Sequence, residues 1–351
     1  MAHMVHRRLG RGPVAIGGVL LVLLLLSCTP NAVGPDSGEG QDQVTISFLS
    51  FTAGNPTHLA AGALAEAVRL NHPDWTVGSM AAGGEALLTA RRVAGEADFF
   101  FARSSRALEL EWQVPLHPDI DFADATRYSL VMPISSSYIH VLVTSDTGLD
   151  SLSDLVERRY PYRFGSGAGV TRLLYSKMLE YYGASVEEAE AWGVHHETIV
   201  IPSAEGVEAM KAGRVDVGLT FSPIPNAYFL AMGLDVKLLP VDDAGLVSLL
   251  EDLGCVPVVI PAGTYPFLDA DVVTMAGPYP LVVRPDMPDE VVYEVVKAAF
   301  EHSDLLFAVS VEARSQMQPA QVAAAVTRSR TVGEPYHPGA LKYYREQGWI
   351  D

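Results

Sequence analysis

Hydrophobic positions along this chain recur with two periods that take turns. A β-rich run over 44–50 gives way to a helical stretch over 57–70, with Leu59, Ala60, Ala63, Leu64, Ala67 and Val68 on one face. A second strand is predicted over 75–80, a helix over 85–93, and an apolar strand over 97–102. The cycle then restarts. Strands are predicted over 138–144, 162–165, 215–220, 236–239 and 280–284. Helices are predicted between them over 149–159, 171–182 and 205–212, and after them over 288–303, where Val291, Val292, Val295, Ala299 and Phe300 form a core stripe. Such alternation predicts α/β layers about a largely parallel sheet. No repeat of solenoid length interrupts it.

Two strand–helix cycles imply two lobes. The sequence divides into a first lobe over 44–140, a second over 141–278, and a return to the first over 279–351. Two strands would then cross between lobes, near 139–143 and 279–283. Two crossings make a hinge, and a hinge makes a cleft that can close on a ligand.

The start of the chain follows different rules. Arg7, Arg8 and Arg11 precede an apolar run over 14–26, too short for a comfortable membrane span but suited to a signal-peptide core. It ends in Leu25-Leu26-Ser27-Cys28, the arrangement of a lipobox, so residues 1–27 read as a leader and Cys28 as the lipidated residue. The other reading of the same run is an uncleaved anchor helix with an incidental cysteine. Residues 28–43 hold Pro, Gly, Ser, Asn and Asp with almost no large apolar side chain, as a flexible tether would. This predicts an extracytoplasmic, lipid-anchored protein held to a membrane through Cys28. The formal charge of −18 falls by a further three when the leader leaves, which disfavours nucleic acid as a partner. Cys255 is then the only cysteine without lipid, so no intrachain disulfide forms, and a buried structural thiol is expected.

Four turns rich in small polar residues follow strands: Thr52-Ala53-Gly54-Asn55-Pro56-Thr57, Ala82-Gly83-Gly84-Glu85, Ser104-Ser105, and the stretch from Gly165 through Ser166, Gly167, Gly169 and Val170 to Thr171. Loops at strand carboxyl ends face the ligand crevice of an open α/β sheet, and helix N-termini bring unpaired N–H groups there. Each turn alone also reads as an ordinary connection with a helix cap. The candidate ligand-facing residues are Thr52, Asn55, Gly84, Glu85, Ser104, Ser105, Ser166, Gly167, Val170 and Thr171. Phe221-Ser222-Pro223-Ile224-Pro225-Asn226 adds a rigid strand-end loop, from which Phe221, Ser222 and Asn226 could reach a cleft. It reads equally as a Pro-fixed link into the next helix. Arg103 and Arg172 are the nearest cations, and Tyr138 lies at the expected hinge, either covering a ligand or simply packing.

Enzyme chemistry finds little support. The Gly165–Gly169 stretch lacks the Gly-Lys-Ser/Thr ending of a phosphate loop and is not a Gly-x-Ser-x-Gly elbow. The ten histidines are scattered, and His195-His196 should point apart. No cofactor, metal or catalytic residue is expected.

The order of motifs resembles the TAXI family, solute-binding components of one class of tripartite ATP-independent periplasmic (TRAP) transporters. The likeness runs from about Thr45 to the end. It is carried by the turn and helix over 52–64, by Ala82-Gly83-Gly84, by Gly95-Glu96-Ala97-Asp98, by Leu152-x-Asp154-Leu155 and by Gly165-Ser166-Gly167. The most specific pieces are Ile260-Pro-Ala-Gly-Thr-Tyr-Pro266 and the end from Leu341 to Ile350. The resemblance implies the two-lobed, type II-like fold of periplasmic binding proteins. It also implies a monomer that takes a small polar or anionic solute, a carboxylate or amino acid, to membrane subunits driven by an ion gradient. Ala53 and Asn55-Pro56 depart from the family's usual glycines and aromatic, and the 154–155 helix runs into Glu157-Arg158-Arg159-Tyr160. These departures touch the ligand shell, so the family's own ligands are not carried over. A receptor for an ATP-driven transporter and a ligand-sensing lipoprotein remain the alternatives.

Overall fold

The structure is a computed structural model that describes residues 43–51, 53, 56–103, 119–167, 169–201 and 203–351, without the side chains of residues 85 and 86. The lipid-anchor expectation at Cys28, and the candidates Thr52, Asn55, Ser104 and Ser105, lie outside the described residues. Among those described, no helix is long and apolar enough to cross a membrane.

Among the described residues ten strands form one sheet: β1 (Thr45–Ser50), β2 (Thr76–Ala81), β3 (Phe99–Phe101), β4 (Ser129–Thr144), β5 (Arg163–Ser166), β6 (His195–Thr198), β7 (Val217–Ser222), β8 (Val236–Leu238), β9 (Val256–Ile260) and β10 (Val272–Val283). Their order is β2-β1-β3-β10-β4-β7-β5-β6, with β8 added on β4 and β9 on β10. The flanks are parallel, as the alternation predicts: β1 with β2 and β3, and β5 with β6 and β7. The centre is antiparallel, which corrects the expected largely parallel sheet: β10 runs against β3, β4 and β9, and β4 against β7 and β8.

Both central strands are longer than their apolar patterns. β4 begins nine residues before the expected start at Tyr138, and nearly all of it is buried. A strand covered on both faces needs no alternation, and Pro133 with Ser135-Ser136-Ser137 hides the rest. β10 starts at Val272 rather than 280, running through Gly277, Pro278 and Pro280. Proline removes a ladder donor, and here the register against β4 shifts between Tyr279 and Leu281. β4 pairs with β10 from Ser129 to Tyr138, then with β7 from Tyr138 to Val143. β10 pairs with β9 up to Ala276 and with β3 from Leu281. Both strands therefore change neighbours over the same short stretch.

Two helix expectations need correction. The helix expected over 149–159 shrinks to Asp154–Glu157. The Asp154 carboxylate accepts from the N–H groups of Asp150 and Ser151 at 2.8 and 3.1 Å, offering those amides an alternative to helix. Arg159 then turns to φ 47°, which ends it. In the helix Pro56–Asn71 the buried face is Ala60, Ala61, Leu64, Ala65, Ala67 and Val68, so Leu59 is 47% exposed rather than inward.

Among the described residues apolar side chains gather in three clusters. One joins β1, β3 and the first part of β4 to the end of β10 and the C-terminal helices, up to Tyr344. The other two hold residues between Tyr138 and Ala276, one around Phe164, Tyr175 and Leu246, the other around Phe229, Met232 and Tyr265. The buried free thiol of Cys255 belongs to the second cluster, as expected, and burial pushes it up to about 12. His195 and His196 occupy adjacent positions on β6; their side chains are 68% and 11% exposed, pointing apart.

Candidate functional site

The strand-end turns fold as connections into helices. Ala82 and Gly83 follow β2, and Gly84 caps the helix Glu85–Val93 without a side-chain bond. The N–H groups of Gly83 and Gly84 both donate to the Phe51 carbonyl, at 2.8 and 3.2 Å. Those two amides, expected to be available to a ligand, are thus engaged in joining the first two turns. After β5, Gly169 takes φ 81°, where a side chain would be strained, and caps the helix Val170–Tyr181, again with no side-chain cap. Thr171 turns its hydroxyl back to the Gly167 carbonyl at 3.1 Å. Ser166 and Val170 are buried and Arg172 is exposed on the helix. Gly165 serves packing: a Cβ there would lie 2.9 Å from Val215 and 3.0 Å from Ile201.

The candidates that the fold does bring together lie where β4 and β10 change partners. Tyr138 stands opposite Ser222 on β7 and Ala276 on β10. The Phe221 ring covers Gly277, leaving only 3.3 Å to where a Cβ would be. Arg103, just past β3, places its guanidinium 5.3 Å from the centre of the Phe221 ring and 5.7 Å from that of Tyr279. Tyr128 donates to the Arg103 carbonyl at 2.9 Å. One cation thus stacks on rings from β7 and β10, within reach of cation–π attraction. Asn226 caps the helix Ala227–Leu230 by accepting from the Tyr228 N–H at 3.0 Å, so its side-chain oxygen is engaged in the connection. The Ile224–Pro225 bond before it is cis.

Three residues of this seam were not singled out from the sequence. His140 is fully buried on β4. Its Nδ1 lies 3.0 Å from the Tyr138 carbonyl and its Nε2 2.9 Å from the Tyr265 hydroxyl. A carbonyl only accepts, so Nδ1 carries the proton and Nε2 accepts from Tyr265. The Tyr265 oxygen in turn accepts from the Asn226 N–H at 3.3 Å. Burial holds His140 down to about 4, against the pull of the Tyr138 carbonyl, so the ring is neutral near pH 7. Glu312, on the helix Val311–Gln316, is the third. Its Oε2 accepts from the Ser135 hydroxyl at 2.6 Å and the Ser136 N–H at 3.0 Å, and its Oε1 from the Ile224 N–H at 3.2 Å. Burial raises the carboxyl to about 7 although all three hydrogen bonds favour the charged form. Burial first, and then the nearby Glu312 charge, lifts the Tyr138 hydroxyl to about 12.

Ser222 and His140 approach within 3.5 Å, which invites a nucleophilic reading. The geometry opposes it. A base must lie within about 2.6–3.2 Å of its nucleophile and offer a lone pair. Here Nδ1 carries a proton directed at Tyr138, and the accepting nitrogen faces Tyr265. Among the described residues no group of His, Cys, Asp and Glu could hold a metal ion. What this seam offers chemically is a cation, aromatic faces and hydroxyls.

Earlier signals existed for some of these residues. Tyr265 lies in the Ile260–Pro266 stretch that resembles the TAXI family, and His140 interrupts an apolar run on a strand. Glu312 had none, since one acid in an acidic chain reads as surface.

Comparison with solved structures gives loose likenesses. The alkanesulfonate-binding protein SsuA from Xanthomonas axonopodis pv. citri, bound to MOPS, is 15% identical, with 86% of this chain and 83% of that one covered and a TM-score of 0.41. A TctC solute binding protein from Polaromonas is 14% identical, with coverages of 77% and 88% and a TM-score of 0.48. The binding protein component of a phosphonate ABC transporter from Pseudomonas aeruginosa is 12% identical, with coverages of 76% and 79% and a TM-score of 0.46. The match to a family model is of a different kind: that of the NMT1-like family aligns with residues 120–348, from just before β4 to the last helix. By that match, over well more than half of its length, the chain belongs to the NMT1-like family.

Proposed function

We propose that this chain is an extracytoplasmic receptor, lipid-anchored through Cys28, that binds a small polar or anionic solute and delivers it to the membrane subunits of a TRAP transporter. In this reading the lobes are 44–140 with 279–351, and 141–278, and the solute sits between them. The observation that carries it is the meeting of Arg103 with Phe221 and Tyr279 where both central strands change partners. A cation backed by aromatic faces suits a carboxylate or amino acid. Tyr138, Ser166, Gly167, Val170, Thr171 and Ser222 would line the same space, with Gly84 and Glu85 opposite. The buried groups that resemble catalytic ones are engaged in structural bonds, which supports a receptor rather than an enzyme. The leader and tether supply the address, and the TAXI resemblance supports the transporter class.

A thermal-shift screen of carboxylates, amino acids and sugars tests the reading. A true ligand at about a hundredfold excess over its dissociation constant adds about 2.7 kcal/mol of stability, a clear rise in melting temperature. A broad screen that moves nothing would sink the transport reading.

A further inference from the structure

Glu312 ties a C-terminal helix to the crossing strand β4 and to the loop after β7 through one carboxylate. Its helix follows the Ser310 cap, whose side chain accepts from the Ala313 N–H at 3.1 Å, and Ala313 and Met317 pack into the first apolar cluster. Ile224 packs against the third cluster, with Tyr265 and Phe229. The carboxylate reaches from one to the other across β4, and its two oxygens have unequal tasks. Oε2 is anchored by Ser135 and Ser136, both on the crossing strand itself. Oε1 holds a single donor, the Ile224 N–H, on the loop that runs from Ser222 to Asn226.

Rotation of one block against the other beyond this part of β4 would leave the Ser135 and Ser136 bonds in place, because the first part of β4 and the Glu312 helix pack into the same apolar cluster. The Ile224 bond would be the one made or lost. We propose that Glu312 is a positioning residue: its bond to the Ile224 N–H latches the Ser222–Asn226 loop to the first block and so sets the balance between rotated states on which solute capture depends. This role rests on the receptor reading above, while the latch itself can be tested without a solute.

Proton chemistry gives the latch a handle. All three donors to the carboxylate are neutral, and the charged groups that could form facing it are the hydroxyls of Tyr138 on β4 and Tyr265 after β9, both raised by burial to about 12 and beyond. His140 lies one bond further, behind Tyr265, and is held neutral. Glu312 is therefore the group in this cluster that changes charge near neutrality. A proton goes to the oxygen with fewer donors, Oε1, which then loses its charge and is a weaker acceptor for the Ile224 N–H. Protonation thus weakens the latch and leaves the anchor.

Amide hydrogen exchange on the full-length protein reads this directly. Rates at Ile224 and Ser136, corrected for intrinsic pH dependence, should be measured from about pH 5.5 to about pH 8.5, bracketing the Glu312 value near 7. In the wild type, protection at Ile224 should rise about tenfold with pH while that at Ser136 changes little. In Glu312→Gln the Ile224 profile should be flat and low. Glu312→Asp, which keeps the charge on a shorter arm, should retain Ser136 protection and lose that of Ile224, and it serves if the glutamine variant fails to fold. A wild-type Ile224 profile that is flat, or one that Glu312→Gln or Glu312→Asp leaves unchanged, overturns the latch. If that happens while a solute is found bound, the latch fails and the receptor reading stands. The expected exchange with no solute in any screen does the reverse.

Discussion

Around Phe99–Phe101 the neighbours are mainly apolar or aromatic, with one buried cation, Arg92, 5.2 Å from the centre of the Phe100 ring. Phe48 stacks on Phe99 at 5.1 Å, Tyr128 meets Phe100 edge-on at 6.5 Å, and Leu281, Val282 and Val283 of β10 lie alongside. A short way along the central strands β4 and β10 the buried side chains include the polar Ser135, Ser136, Ser137, His140 and Thr274, with Ser222 of β7 and Glu312 beside them. The sheet runs through both regions without a break, yet different physics holds them. Apolar burial is non-directional and grows with area, so it makes the blocks stiff. The seam is held by hydrogen bonds, each worth little net but costly if left unmade. Bonds of that kind can be exchanged for bonds to other partners, water among them, at little net cost. The contrast shows how one continuous sheet can hold an apolar region and a polar one side by side.

The comparison can be broken at the apolar end first. Phe100→Ala should destabilise the fold by about 3–5 kcal/mol in chemical denaturation, through lost burial and a cavity. A loss below about 1 kcal/mol would mean that this region is not the stiff core described.

The seam answers to pH instead. His140 is held below its ordinary value, so its contribution is present above about 6.5 and is lost as pH falls toward about 4. Glu312 is held above its ordinary 4.5, so its contribution is present below that value and is lost as pH rises through about 7. Across the shared window the two slopes oppose each other, and the wild type should show little net dependence from this pair. Glu312→Gln should unmask the histidine: relative to wild type, stability should fall by up to roughly 3 kcal/mol between about pH 6.5 and about pH 4. Denaturation curves at several pH values check it, and equal slopes in the two proteins would show that the groups are not opposed.

Much of the fold was legible because its flanks follow simple periods. The helix Glu85–Val93 and the strands before and after it could be read from pattern alone. The central strands were legible only in part, since Pro133, Gly277, Pro278 and Pro280 look like breakers until a neighbour covers them. The helix Val186–Ala191 carried a signal that went unread, the capping box of Ser185 with Glu188. In the seam, Arg103, Tyr138, Phe221 and Ser222 could be placed from strand ends. Glu312 could not, because an acid is marked as buried only by the parts of the chain that fold over it. Of the glycine loops, their positions were legible, but not that the Phe51 carbonyl would take the amides of Gly83 and Gly84.

The central claim is that the seam holds a solute and that Arg103 is part of the hold. It is tested most directly by releasing small molecules from purified wild-type protein and from Arg103→Gln and weighing them by mass spectrometry. The account predicts a polar or acidic solute carried by the wild type and largely absent from the variant. No solute on the wild type, or equal amounts on both proteins, would contradict it.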